Sequence, residues 1–377
     1  MIKRFNLLCL LTALGLTSLA KASDPGSSSA DFLKLGIGPR AVAMGEAQVG
    51  LADDVYANFW NPAGLTQLET PQAGFVQTQY LQDITEQYLA YAYPTKSLGS
   101  FGASFTFLNV PPVQGYDAVA QPIGSVGAND AALGLSYACP VYRDRRDGTL
   151  LAAGISGKWI HERLDTVSAS AYAADAGLIF VPGTKWWDAL EGWKAGLSMR
   201  NMGSAIKFDT ESFPLPRSLT AGLSYTGKWR EESFTFALDG QQPNDGPRSF
   251  GAGVEVLTLK TLVIRGGYNS ADDLGNGLRA GGGLRFKTFQ IDYAFAGAGP
   301  LGNAHRLGVT VFFGHKPQNT LALAQSHYEK GRKEFREQRY SEALEDFNKA
   351  LQIDPSHPQV QEMMDKTYEK LDKVLPQ

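Results

Sequence analysis

A period of two in hydrophobicity runs through residues 71–315 and constrains the fold more than any other feature. Two stretches show it clearly, Thr288–Phe295 (TFQIDYAF) and Arg306–Phe313 (RLGVTVFF). Because successive side chains of a strand point to opposite faces, one face carries large apolar residues and the other carries small or polar ones. The polar set includes Asp239, Glu255, Arg265, Arg279, Arg285 and Asp292. Large apolar residues outside and small or charged ones inside are typical of a membrane β-barrel with a polar lumen, whereas a sandwich packs its apolar faces together.

The alternation divides into about 14 predicted antiparallel strands, an even number, as outer-membrane barrels have. They lie near 72–80, 86–95, 99–108, 130–141, 150–163, 169–182, 192–201, 217–227, 232–240, 247–257, 260–269, 277–286, 287–296 and 305–314. An even count puts both ends of the barrel on the periplasmic side. The two longest connections, 109–129 and 202–216, follow odd-numbered strands and are predicted to be outer loops.

Residues 1–22 have the pattern of a secretory signal peptide. Lys3 and Arg4 precede an apolar stretch, Phe5–Leu19, and Ala20-Lys21-Ala22 fits a cleavage site. No later segment has 18 consecutive apolar residues, so a mature chain that spans a membrane must do so as a closed barrel.

Composition narrows the function classes. A net charge of −3 gives no sign of a nucleic-acid surface. The five histidines are scattered without metal-ligand spacing, and no nucleophile motif appears, so we expect neither an enzyme nor a metal or other cofactor. The 41 glycines, 20 phenylalanines and 15 tyrosines suit strands with small inward residues and aromatic belts at the membrane interfaces.

Between Asp31 and Leu65 an ordered set of short motifs precedes the strands. Its members are Gly38-Pro39-Arg40, Met44-Gly45, Asp53-Asp54 and Asn61-Pro62-Ala63-Gly64. In order and spacing the set resembles the N-terminal signature of the PorV/PorQ family of outer-membrane proteins, and more loosely that of FadL-type transporters. The resemblance implies a FadL-like 14-stranded outer-membrane barrel that acts in or beside the type IX secretion system. There, PorV-like members bind and escort secreted proteins and contact secretion-system subunits, without covalent chemistry.

Residues 23–70 are therefore expected to form a plug or hatch in the lumen of a barrel formed by 71–315, or a strap that seals it. A short helix is predicted over Ala41–Ala52, and Asn61 is predicted to cap a turn that begins at Pro62. Arg40 is expected to pair with a lumen carboxylate such as Asp292. Asp53 and Asp54 lack the spaced oxygen ligands of a calcium loop, so we expect them to cap a helix or pair with an arginine.

Residues 318–377 are charged and helical in pattern. The small, aromatic and helix-ending positions of one tetratricopeptide repeat are filled by Gly331, Tyr340, Ala343, Phe347, Ala350 and Pro355. A third helix near 358–373 resembles a cap. The unit is predicted to be all-α, to lie in the periplasm and to bind a protein there.

The predicted outer loop 202–216 contains three large apolar residues, Phe208, Phe213 and Leu215. Exposed apolar residues on an outer loop mark a binding surface, or else they fold back and close the barrel mouth. Two other functions stay open: passive transport of a hydrophobic small molecule, and a membrane scaffold that presents the helical unit. Besides protein partners, outer-membrane lipid is expected around the barrel.

Overall fold

The computed structural model describes residues 26–95, 97–144, 148–182, 190–271, 275–314, 320–354 and 359–372. The predicted signal peptide and Pro355 lie outside these ranges. The chain divides after Gly314 into two compact units.

The first unit is a closed antiparallel barrel of 14 strands. In chain order the strands of this unit are β1 Gln72–Gln79, β2 Thr85–Pro94, β3 Ser100–Tyr116, β4 Pro122–Asp144, β5 Gly148–Leu164, β6 Val167–Phe180, β7 Trp193–Gly203, β8 Ile206–Phe208, β9 Glu211–Phe213, β10 Ser218–Trp229, β11 Glu232–Pro243, β12 Ser249–Thr258, β13 Leu262–Asn269, β14 Leu278–Arg285, β15 Phe289–Gly297 and β16 Asn303–Phe312. β8 and β9 form a separate hairpin, and β1 pairs with β16 to close the barrel. The predicted fold class and strand number are confirmed.

The wall of the barrel alternates as the sequence predicts. Along β15, Phe289, Ile291 and Tyr293 are exposed on the outside, while Gln290 and Asp292 are buried in the lumen. We call the end where β1 begins and β16 ends the terminal end, and the opposite end the loop end.

The connection predicted at 109–129 is mostly strand. β3 continues to Tyr116 and β4 starts at Pro122, so a paired ribbon extends past the end of β2. The prolines at 111 and 112 suggested a loop, but they lie at a register shift between Val110 and Val113, where a strand tolerates proline. The connection 202–216 likewise contains the β8–β9 hairpin.

The N-terminal segment fills the lumen, with its first 3-10 helix near the loop end and its last residues at the terminal end, where β1 begins. Its elements are a 3-10 helix at Asp31–Lys34, α1 at Pro39–Ala43, α2 at Ala57–Trp60 and a second 3-10 helix at Pro62–Gln67. The helix predicted over Ala41–Ala52 is wrong in length because the chain turns left-handed at Gly45 (φ 68°) and Glu46 (φ 66°). Later in the segment Tyr56, Trp60 and Leu65 share a buried core with wall residues such as Tyr88 and Ile179.

The second unit consists of α3 Thr320–Arg336, α4 Tyr340–Ile353 and α5 Val360–Asp372. Its core contains Tyr328, Ala343, Phe347, Ala350 and Val360. A Cβ at Gly331 would approach the Phe347 ring to 2.8 Å, so glycine allows these helices to pack closely. Among the described residues, no helix is both long and apolar enough to cross a bilayer.

Candidate functional site

Arg40 is the centre of an ion-pair network in the lumen. Pro39 begins α1 and places Arg40 in the first helical turn, where its side chain is 8% exposed. Its Nε and Nη2 donate to the two carboxylate oxygens of Glu255 on β12, at 2.9 and 2.8 Å. Nη1 also donates to Asp53 and, at 3.2 Å, to Asp54. A two-point guanidinium–carboxylate contact fixes orientation as well as distance, so it holds α1 against the wall.

The network continues along the wall through Glu255. Arg265 donates its Nε to Glu255 and its Nη1 to Asp292, both at 2.6 Å. Gln290 donates to the other oxygen of Asp292 at 2.7 Å. Arg40 therefore contacts Glu255, and the expected partner Asp292 is reached only through Glu255 and Arg265. The alternation in the sequence places Glu255, Arg265 and Asp292 in the lumen, but it does not identify which of the two carboxylates binds Arg40.

The two adjacent plug carboxylates have separate tasks. Asp54 accepts the Tyr56 backbone N–H at 3.0 Å, next to the start of α2, so it satisfies a free donor there. Asp53 lies 3.5 Å from Lys194 Nζ on β7 and thus adds a contact to a second part of the wall, three strands from β12. Both carboxylates also bind Arg40, which agrees with the expectation that they pair with an arginine.

The Met44-Gly45 motif marks the closest approach of plug and wall. A Cβ at Gly45 would collide with the carbonyl oxygens of Tyr268 and Ala252, and its positive φ already disfavours other residues. Opposite it, a Cβ at Gly267 of β13 would strike the backbone of Met44 and Gly45. Glycine on both sides is therefore required for this backbone contact.

Asn61 fixes the turn that leads to the first strand. Its side-chain oxygen accepts the Ala63 N–H at 3.2 Å, which confirms the predicted N-cap before Pro62. Its Nδ2 donates to the carbonyls of Val49 and Leu178, each at 3.0 Å. One side chain thus joins the turn, an earlier part of the plug and β6.

A second set of polar contacts lies nearer the loop end and was not singled out from the sequence as a set. Glu46 pairs with Arg279 and accepts from Asn269 at 3.2 Å. Asp239 accepts the backbone N–H groups of Gln48 and Val49, at 2.8 and 2.6 Å. Because these wall residues are inward-facing by alternation, the period-two pattern is the signal that finds them.

Arg200, on β7, adds an aromatic contact to the plug. Its guanidinium carbon lies 4.7 Å from the ring centre of Phe59 and 5.2 Å from that of Trp60. A buried cation over aromatic faces stabilises this packing electrostatically.

An apolar cap covers the lumen at the loop end. Phe32 and Leu33 pack with Leu108, Ile206 and Leu215. Leu215 is only 1% exposed, so an exposed binding role for it is wrong. The half-buried Phe208 packs against the same cluster, whereas Phe213 is 39% exposed. Leu215 and Phe208 therefore fold back and help to close the barrel mouth, whereas Phe213, alone of the three, remains on the surface.

Asp245, in the loop between β11 and β12, binds this cap. Its carboxylate accepts hydrogen bonds from Lys34 and Ser28, and the Ser29 N–H donates to Pro214 O at 3.0 Å. Burial alone would raise the pKa of Asp245, but the hydrogen bonds from Lys34 and Ser28 lower it below its ordinary value.

The predicted repeat positions meet inside the helical unit. Ala343, Phe347 and Ala350 are buried, and the Tyr340 ring lies 5.6 Å from that of Phe335. Asp346 accepts from His327 at 2.8 Å and from Lys330 at 2.6 Å, which ties α3 to α4.

Comparisons with known proteins agree with this geometry. The family described as "Type IX secretion system protein PorV" matches residues 27–227, more than half of the 377-residue chain. A tetratricopeptide repeat matches 324–357. No curated protein sequence gives a significant match.

Solved structures share the barrel fold at low sequence identity. The CymD monoaromatic hydrocarbon channel is 13% identical, with a TM-score of 0.51 over 74% of this chain and 98% of that one. The toluene transporter TodX of P. putida is 12% identical, with a TM-score of 0.51 over 74% of this chain and 99% of that one. These likenesses confirm the FadL-like architecture.

Proposed function

Because the chain belongs to the PorV family of type IX secretion system proteins, we propose that it binds secreted proteins and secretion-system subunits at the outer membrane and escorts the secreted proteins. A lipid-facing barrel in this family is an outer-membrane protein. In the proposed orientation the terminal end faces the periplasm and the loop end faces outward.

The main observation behind the proposal is that, in a chain of this family, the N-terminal segment is held in the lumen by buried ion pairs and covered by the apolar cap. Arg40, Glu255, Arg265 and Asp292 join the N-terminal segment to three wall strands, and the apolar cap covers the loop end. Moving the segment would break buried ion pairs, which costs about 3–5 kcal/mol for each pair left with an unpaired charge. Binding at the surface is therefore favoured over passage through the lumen.

The loop end offers a surface for such binding. On the β3–β4 ribbon Val113, Tyr116 and Val119 are 64%, 61% and 74% exposed. Phe213 on the β8–β9 hairpin adds a fourth exposed apolar side chain. A charge-poor surface with an aromatic residue and exposed valines has the composition of a protein interface core.

Site-specific photo-cross-linking tests this proposal in the host cell. A photoreactive residue replaces Val113 or Phe213, and a matched one replaces the lipid-facing Leu238 on β11, which is 52% exposed. We expect protein adducts only at the first two positions, containing secreted proteins that share one C-terminal domain or secretion-system subunits. Adducts with lipid alone at all three positions would contradict the proposal.

Transport of a hydrophobic molecule is the alternative that the shared architecture raises, since neighbours of this fold are a hydrocarbon channel and a toluene transporter. The charged lumen counts against it. Stoichiometric recovery of a bound hydrocarbon or fatty acid, without protein partners, would favour this alternative.

The helical unit extends the proposal to the periplasm. A tetratricopeptide repeat is a protein-binding element, so we propose that residues 318–377 recruit a periplasmic protein. Full-length protein and a chain that ends after Gly314 should differ in one class of co-purifying protein, while recovery of secreted proteins stays equal.

A further inference from the structure

Three neighbouring turns at the terminal end each present a large apolar side chain beside a cation. They join β10 to β11, β12 to β13 and β14 to β15, six strands that are consecutive in the wall. The apolar members are Trp229, Leu259 and Phe286, which are 63%, 81% and 42% exposed. We call these three turns the terminal arc.

Leu259 has an unfavourable backbone conformation. Leu259 and Lys260 have φ of 52° and 61°, and the Thr261 N–H donates to Thr258 O at 3.2 Å, so they are the central pair of a two-residue turn. Such turns favour Asn-Gly, because a bulky residue strains at positive φ. Leu259 is also the most exposed large apolar side chain among the residues that the structure describes. Since it gains little packing within the protein, its benefit must lie outside it.

Cations accompany each of these apolar residues. Lys228 and Arg230 flank Trp229, Lys260 follows Leu259, and Lys287 follows Phe286. The Arg230 guanidinium carbon lies 5.3 Å from the Trp229 ring centre. The acidic residues here are fewer: Glu231 makes an exposed ion pair with Lys260 at 3.1 Å, and Glu232 accepts from Thr258 at 2.8 Å. An exposed pair of this kind contributes little and is easily exchanged for another anion.

The loop end combines the two features at some turns and not at others. Leu164, 55% exposed at the turn between β5 and β6, follows Arg163, whereas Val119 and Leu301, 74% and 51% exposed at other loop-end turns, have no Lys or Arg within two residues. In the terminal arc each of the three turns has an exposed apolar residue beside a cation.

We propose that the terminal arc binds anionic phospholipid headgroups of the leaflet in which it lies. The outward faces of Trp229 and Phe286 continue the lipid-facing wall, so their apolar surface already lies at the membrane boundary. Arg230, Lys260 and Lys287, in the turns beside them, reach headgroup phosphates while their stems stay in the apolar layer. Lys228, on the inward-facing side of β10, adds positive charge at the same end of the barrel. This inference is independent of the secretion role.

Lipid retention tests the inference directly. Full-length protein is reconstituted in vesicles with equimolar phosphatidylglycerol and phosphatidylethanolamine, extracted in mild detergent, and the two retained lipids are quantified by mass spectrometry. We expect phosphatidylglycerol to be enriched. The variant K228Q/R230Q/K260Q/K287Q should reduce the enrichment by roughly tenfold, since each cation near an anionic surface contributes. Lys207→Gln, an exposed lysine on β8, is the matched control and should change nothing.

Leu259→Asn separates lipid binding from folding. Asparagine tolerates the left-handed conformation, so the midpoint of thermal unfolding in detergent should rise while phosphatidylglycerol enrichment falls at least twofold. This single change also keeps the test decisive if the four-charge variant fails to fold. Equal retention of both lipids by the wild type, or unchanged enrichment in Leu259→Asn, would overturn the proposal. Loss of a co-purifying protein from the four-charge variant, with lipid enrichment unchanged, would assign the arc to a protein instead.

Discussion

Arg40 offers the most informative single perturbation, because it joins three carboxylates to one plug helix. Arg40→Met leaves Glu255, 10% exposed, with Arg265 alone, and leaves Asp53 and Asp54 without their shared cation. Removing one partner of a buried ion pair costs about 3–5 kcal/mol. Because about 1.4 kcal/mol corresponds to a factor of ten in an equilibrium constant, the open fraction of the plug should rise by roughly 100-fold or more.

Cysteine labelling measures that open fraction. Ala57→Cys, in a Cys139→Ser background, places a thiol at a plug position that is 0% exposed. When opening is faster than reaction, the labelling rate with a water-soluble maleimide follows the open population. The rate should therefore rise by roughly 100-fold in Arg40→Met.

Two matched variants calibrate the result. Arg40→Lys keeps a charge but loses the two-point contact, so its labelling rate should fall between the wild type and Arg40→Met. Lys260→Met breaks an exposed pair with Glu231, worth about 1 kcal/mol or less, and should leave plug labelling unchanged. A labelling rate for Arg40→Met within twofold of the wild type would refute the view that this network holds the plug.

Three further predictions concern the backbone contact at Gly45, the contact of Asp245 with the apolar cap, and the helical unit. Gly45→Ala should lower the thermal unfolding midpoint sharply, by about 2 kcal/mol or more in stability, whereas Gly240→Ala, with no atom within 4 Å of its Cβ, should change it little. The contact of Asp245 stabilises the cap fully at neutral pH. Because the pKa of Asp245 is lowered in the folded protein, this stabilisation should decline as pH falls below about 4, and a cysteine at Leu33 should then be labelled faster. The variant Asp245→Asn should increase the labelling rate of that cysteine already at pH 7. Phe347→Ala, at 0% exposure, should cost about 3–5 kcal/mol and make the helical unit of the full-length protein sensitive to limited proteolysis.

Strands were predictable where a local rule decides them. Period-two alternation places Gln290 and Asp292 in the lumen whatever their partners are, because the side-chain period of a strand is two. The N-cap at Asn61 followed equally from a local preference, since a short polar side chain before Pro62 satisfies a free N–H.

Longer-range features were not predictable from one sequence. The choice of Glu255 over Asp292 as the Arg40 partner depends on the register of three strands and on the height of α1 in the lumen. The burial of Leu215 depends on Phe32 and Leu108, which come from distant parts of the chain. The β3–β4 ribbon replaces much of the outer loop predicted at 109–129, because strand pairing continues on both sides of the two prolines there.

Locking the plug covalently would test the central claim, that this protein acts by binding while its lumen stays closed. Ala43 in the plug and Ala294 on β15 pack in one buried cluster, so cysteines at both positions, in the Cys139→Ser background, can join plug to wall. The account predicts that the oxidised protein still supports secretion of proteins with the shared C-terminal domain, at the wild-type rate and without dependence on reductant. Loss of secretion in the oxidised state, restored by reduction, would contradict it and show that the plug must move.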